Sequence, residues 1–197
     1  MIRFISRAVA KWLLKHGAIS VNEKELYEYG IYSFLFTLTP LFLVLMVSIP
    51  LNMAVEGVLL ITPFIFLRKF AGGFHFQTPL PCIIVSTLVL LGCLLEIRVI
   101  LEYGSFIIHT LLVYASIVPI CILSPIDSEN RQLSAKEKSA FHRIAIVLAT
   151  INAALYSLLL ILRTVEIAIP LGTGMILTAL LQLPCLFEHQ KNSNRTR

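Results

Sequence analysis

The sequence predicts an all-α membrane protein: six transmembrane helices with an N-terminal amphipathic interfacial helix. Three observations carry this expectation. Of 197 residues, 57% are hydrophobic and only 14% charged, with a mean hydropathy of +0.86. A soluble domain averages about one quarter charged residues and would have no way to bury so much apolar surface. The apolar residues also fall into runs near the ~20 residues needed to cross a hydrocarbon core of ~30 Å. Finally, the cations cluster in the segments between those runs. Their position, rather than nucleic-acid binding, accounts for the net charge of +5, and no aromatic-basic RNA motif is visible.

Residues 1–29 form an amphipathic cytoplasmic or interfacial segment. Arg3, Arg7, Lys11 and Lys15 recur every fourth residue, which leaves no long apolar stretch of the kind a cleavable signal peptide needs. On a helix these cations make one stripe, with Phe4, Ile5, Val9, Trp12 and Leu13 on the other side. Such a helix lies in the interface with its cations toward anionic headgroups; the other reading is a basic amphipathic helix packed on the protein.

The six-span membrane domain covers 30–187. Spans are expected at 30–49, at 52–67 with a kink at Pro63, from Pro81 to Leu95, at 105–123, at 144–162 and at about 167–187. A polar stretch occupies 124–143, and 188–197 is a polar cytoplasmic tail. The second and third spans are expected to be short: sixteen residues rise about 24 Å at ~1.5 Å each. The loop between them is therefore expected to dip into the interface, with a re-entrant hairpin as the alternative. In the fifth span Ala145, Ala149, Ala153 and Ser157 repeat every four residues, either as a close-packing stripe or as helix-compatible filler.

Charge orients the bundle. With six spans and a cytoplasmic N-terminus, the inner segments carry Arg3, Arg7, Lys11, Lys15, Lys24, Arg68, Lys69, Arg131, Lys136, Lys138, Arg143, Lys191, Arg195 and Arg197, and the outer segments only Arg98 and Arg163. That asymmetry follows the positive-inside rule. It puts both termini and the loop 68–82 in the cytoplasm of a multi-pass cell-membrane protein.

The loop itself reads RKFAGGFHFQTPLPC, Arg68 to Cys82. Cys93, Cys121 and Cys185 sit in apolar runs and read as small buried hydrophobes; in a reducing cytoplasm no disulfide is expected. Cys82 differs. Pro81 suits an early helical position, which places Cys82 in the first turn of the third span. Unpaired N–H groups and the positive dipole end favour negative charge there, and Arg68 and Lys69 add to that field. Gly72, Gly73, Pro79 and Pro81 argue against one continuous helix, so a bent loop can bring His75 back toward Cys82. A cysteine beside a histidine is a nucleophile–base pair, and the helix-start N–H groups suit an oxyanion. From the residues alone a structural role for the pair stays open. One Cys and one His do not make a metal site, and no zinc-ligand spacing occurs; neither metal nor cofactor is expected. His109 and His142 read as structural or surface histidines, and Asn52 and Asn152 as capping or packing residues.

The loop resembles the signature of the accessory gene regulator B (AgrB-like) family of membrane cysteine endopeptidases. Arg68, Gly72, Gly73, His75 and Cys82 match its pattern, and Ser124, Pro125 and Arg131 resemble a second family segment. Asp127, Glu129 and Glu137 make that second segment more acidic than in some relatives. Length, the apolar spans and Tyr29-Gly30 extend the resemblance over nearly the whole chain.

The resemblance implies cleavage of a small amphipathic AgrD-like pro-peptide at the lipid bilayer, with Cys82 as nucleophile and His75 as base. The peptide would close into a thiolactone or lactone through an acyl-enzyme thioester. Substrate contacts are expected at Arg68, Lys69, Gly72, Gly73, Gln77, Arg131, Lys136 and Lys138, the cations facing an acidic substrate tail. Gln77 is also the sequence's candidate for orienting His75, and a homodimer is compatible with the resemblance. The rival is a peptide transporter or a non-catalytic membrane adaptor, suited by prolines at 40, 63, 119, 170 and 184. The scarcity of ionisable groups in the spans argues against ion coupling.

Overall fold

The computed structural model describes residues 2–73, 79–104, 106–126 and 134–185. Among these residues every regular element is helical: α1 (Ile2–Lys15), a short 3-10 turn (Val21–Glu23), α2 (Lys24–Ser48), α3 (Ala54–Ala71), α4 (Pro79–Tyr103), α5 (Phe106–Leu123), α6 (Ala135–Ile161) and α7 (Val165–Leu180). The chain groups into two compact units, residues 1–43 and 44–197.

In the first unit α1 buries small residues and exposes large ones. Ser6 and Ala10, one turn apart, are buried, whereas Phe4 is 79% and Trp12 58% exposed, with Ile5 and Val9 also exposed. α1 ends in a glycine-stopped turn: Gly17 (φ 69°) lets Ala18 N–H reach Leu13 O at 3.0 Å and Gly17 N–H reach Leu14 O at 3.1 Å. An ion pair between Arg7 and Glu28 (2.9 Å) joins α1 to α2. At the 3-10 turn the Glu23 carboxylate accepts from Ser20 N–H (2.9 Å) and from Ser20 Oγ (2.7 Å). These hydrogen bonds hold the carboxyl below its ordinary range.

In the second unit the end of α2 turns tightly into α3. Met53 N–H returns to Ser48 O at 3.0 Å, Asn52 takes a left-handed φ of 55°, and Arg98 Nη2 of α4 donates to Leu51 O at 2.9 Å. The bundle is organised around α7. In the 18-residue apolar window of Val165–Cys185 61% of residues are buried, against 22% in the corresponding window of each of the other three long apolar helices. Glycine makes this possible. A Cβ on Gly174 would run into Leu60 O of α3, and one on Gly172 would lie 2.7 Å from His109 Cε1 and 2.8 Å from Tyr156 Cε2. Backbones of this kind approach closely because lipid supplies no hydrophobic drive between helices, leaving dispersion and buried hydrogen bonds to hold them.

Ala145, Ala149 and Ala153 of α6 are all buried, so the small-residue stripe packs against neighbours. His109 of α5 fills the crossing: Nδ1 lies 3.1 Å from Tyr156 Oη and Nε2 3.1 Å from Thr173 Oγ1, while Thr110 Oγ1 is 2.9 Å from the same phenol. Polar groups in a water-free layer need such partners, which is the structural role expected for this histidine. Asn152 spends its amide on Leu148 O of its own helix at 2.8 Å.

Among the described residues four helices are long and apolar enough to cross a membrane: Pro81–Tyr103, Phe106–Leu123, Ala135–Ile161 and Val165–Cys185. Leu38–Ser48 within α2 is a shorter apolar stretch, and α3 holds Glu56, Arg68 and Lys69 within its 18 residues. Two boundaries differ from expectation. α4 continues past Leu95 through Glu96, Arg98 and Glu102 to Tyr103, since the exposed Arg98 head finds a carbonyl at the α2–α3 turn. α6 starts at Ala135, not near 144, because a capping box defines its origin: Glu137 N–H donates to Ser134 Oγ (3.3 Å), and the Glu137 carboxylate accepts from Ser134 N–H (2.9 Å). The polar stretch therefore supplies the first turns of a long helix.

Candidate functional site

The site is built where α3 ends and α4 begins. α3 stops at Ala71, with Gly72 N–H donating to Arg68 O at 3.0 Å. Gly72 then takes φ 72°, ψ −159°, a region open in practice to glycine alone, and Gly73 has φ 140°. Space forbids a side chain on Gly72 as well: a Cβ there would strike the backbone at Ile126 O. The paired glycines thus serve the turn, and Gly72 also the close approach of the 124–126 segment.

α4 begins at Pro79, and Cys82 falls in its first turn, as the prolines predict. The thiol is half-buried. The Arg68 guanidinium stacks over the Phe64 ring (5.6 Å to the centroid) and lies within electrostatic reach of both Cys185 and Cys82. Lys69 is exposed, its Nζ 5.7 Å from the Phe70 ring centroid. Lys136 and Lys138 occupy the exposed first turns of α6. The structure therefore brings together Arg68, Gly72, Gly73 and Cys82. His75, Gln77 and Arg131 lie outside the described residues. Among the described residues no group of three His, Cys, Asp or Glu side chains is arranged to hold a metal ion.

A second layer, which sequence reasoning did not find, lies behind this turn. Ile126 N–H donates to Ala71 O at 3.0 Å. Gln182, in the turn after α7, is fully buried. It donates through Nε2 to Ser124 Oγ at 3.0 Å and to Ala71 O at 3.3 Å. Ser124 O accepts from His142 Nδ1 of α6 at 2.7 Å, and Phe70 packs edge-on against Phe141, centroids 5.5 Å apart. Four chain segments, the ends of α3 and α7, the start of α6 and residues 124–126, thus converge behind the glycine turn. The signal available in the sequence was a lone amide at 182 in an apolar run, which in a membrane helix marks a position of interest. Cys185, read as a buried hydrophobe, shares the Arg68 field with Cys82.

Chemically, a helix N-terminus beside a guanidinium stabilises an anion.

The chain matches the accessory gene regulator B family over residues 6–186. It is 24% identical over 144 residues, 70% of this chain and 67% of the relative, to a protein of Clostridium perfringens (strain 13 / Type A) provisionally named AgrB-like protein 2. No solved structure matches it. Four membrane-length apolar helices and this match together identify a multi-pass membrane protein with a place in agr quorum sensing: the chain belongs to the accessory gene regulator B family.

Proposed function

We propose that the chain is a membrane cysteine endopeptidase that cuts an AgrD-like quorum-sensing pro-peptide and supports its cyclisation. The observation that carries this reading is Cys82 in the first turn of α4, within electrostatic reach of Arg68. His75 takes the Cys82 proton, and the thiolate attacks the scissile carbonyl. First-turn N–H groups hold the oxyanion. Collapse breaks the amide, His75 returns the proton to the leaving amine, and the C-terminal tail departs. The signal segment remains on Cys82 as a thioester, which keeps its acyl-transfer potential. A Cys or Ser side chain of the same peptide then gives its proton to His75 and attacks, forming the ring and releasing Cys82. Water must be excluded from the thioester, and a site at the membrane interface serves that end.

The same reading counts α2 and α3 as spans beside the four long helices. Twenty-five residues of α2 rise roughly 37 Å. Six crossings then put both termini and the loop 68–82 in the cytoplasm by the positive-inside rule, with α1 in the interface, its exposed Phe4 and Trp12 toward acyl chains. Arg68, Lys69, Arg131, Lys136 and Lys138 steer the acidic end of the peptide.

The deciding experiment co-expresses the chain with the small open reading frame beside its gene and follows the peptide by mass spectrometry. Cys82→Ala that inserts normally is expected to yield neither the cut peptide nor an acyl-enzyme. Full processing by that variant would end the protease reading and leave a transporter or adaptor.

A further inference from the structure

We propose that Gln182 is a positioning residue for Cys82 chemistry: it clamps the chain leaving α3 to the 124–126 segment and so sets the turn from which the reactive loop departs. The inference rests on the cysteine-peptidase reading above. Its geometry is independent of that reading.

Gln182 is fully buried and spends its amide nitrogen on two other segments, Ser124 Oγ (3.0 Å) and Ala71 O (3.3 Å). A carbonyl oxygen can only accept, so Ala71 O fixes the nitrogen on that side. Ala71 is the last residue of α3 and precedes the glycine pair. Its carbonyl also receives Ile126 N–H at 3.0 Å, so both of its lone pairs are committed. The Gln182 Oε1 atom, by contrast, is buried with no hydrogen-bond partner among the described residues. A side chain serving packing alone would be apolar here, since an unfilled buried acceptor is unfavourable. Gln182 is placed for its two donor bonds, at a cost to its own satisfaction. Those bonds lie behind the turn in which Gly72 and Gly73 take glycine-only geometry, directly before the loop that ends at Cys82. A shift of about 1 Å in such a support can lower a rate about a hundredfold.

The test uses the purified full chain in detergent micelles. The rate of Cys82 alkylation by N-ethylmaleimide is measured against pH by peptide mapping, beside thermal unfolding. Gln182→Met keeps the volume and removes both donors. It is expected to leave the unfolding temperature equal or higher, while slowing Cys82 alkylation at pH 7 by about tenfold or more and moving its midpoint to higher pH. Ser124→Ala, which removes the other end of the clamp, should move the midpoint the same way. The double variant should add little to either single change, as for residues in one network. If Gln182→Met does not fold, Ser124→Ala reads the same coupling alone. His75→Ala separates the two ideas. If it leaves the alkylation profile unchanged, the His–Cys reading falls. If it moves the profile while Gln182→Met and Ser124→Ala do not, or lower only the unfolding temperature, the positioning role of Gln182 falls by itself.

Discussion

Ile126 N–H donates to Ala71 O at 3.0 Å, joining two segments that the chain separates by the whole of α4 and α5. Ala71 ends the helix that leads into the His–Cys loop, and Ile126 follows Ser124 and Pro125 of the second family segment. The described ends of the two family segments therefore meet in one structural junction.

That junction makes Gly72 sensitive. Gly72→Ala puts a Cβ against Ile126 O at φ 72°, ψ −159°, which costs roughly 1–3 kcal/mol in backbone strain alone. The expected outcome is a lower unfolding temperature and loss of most peptide processing. A variant with unchanged stability and activity would show that the turn relaxes freely.

His75→Ala is expected to leave Cys82 present but slow near neutral pH. Activity should recover in part as pH approaches the range where an unassisted cysteine ionises, roughly 8.5. A pH–rate profile of peptide cleavage checks this. A His75→Ala profile identical to that of the native protein would remove His75 as the base.

Orientation is tested with introduced cysteines, read by mass spectrometry of labelled peptides. Tyr103 ends α4 and is 75% exposed; Lys136 lies in the first turn of α6. An impermeant maleimide added to intact cells should label Tyr103→Cys and spare Lys136→Cys until the membrane is opened. The reverse pattern would invert the bundle.

The buried triad of His109, Tyr156 and Thr173 should hold α5, α6 and α7 together without touching the chemistry. Tyr156→Phe removes hydrogen bonds to His109 Nδ1 and Thr110 Oγ1. In a membrane bundle such bonds contribute about 0.6 kcal/mol on average and up to about 1.7. The variant should melt earlier and, once folded, process peptide at the native rate. A large fall in turnover at unchanged stability would move this cluster into the working site.

Glu23 gives the N-terminal unit a pH dependence. Its carboxyl is held below the ordinary range by its hydrogen bonds to Ser20. A depressed value means the carboxylate is preferred in the folded state. The stabilisation is therefore fully present above the ordinary carboxylate value of about 4.3 and is lost as pH falls through the lower folded value. An NMR titration of Glu23 in micelles should show that lowered midpoint, and Glu23→Gln should abolish the dependence. A midpoint at or above the ordinary value would contradict the hydrogen-bonded turn.

By itself the sequence determined the membrane class, the all-helical character and the start of α4, because these depend on short-range features: mean hydropathy, apolar run length, Pro79 and Pro81 before Cys82, Gly72-Gly73 after α3. The Ser134/Glu137 box is equally local, and it sets the start of α6 at Ala135. Tertiary structure alone decided which helix is central and which residues meet. A helix apolar on every side carries no periodic mark of the face that packs. Lipid and protein interior are alike to it, so glycines and buried polar groups make the selection. Gly172 and Gly174 bring α7 to the centre, and the Gln182 amide joins Ala71 to Ser124 across 111 and 58 residues of chain, a contact no local pattern encodes.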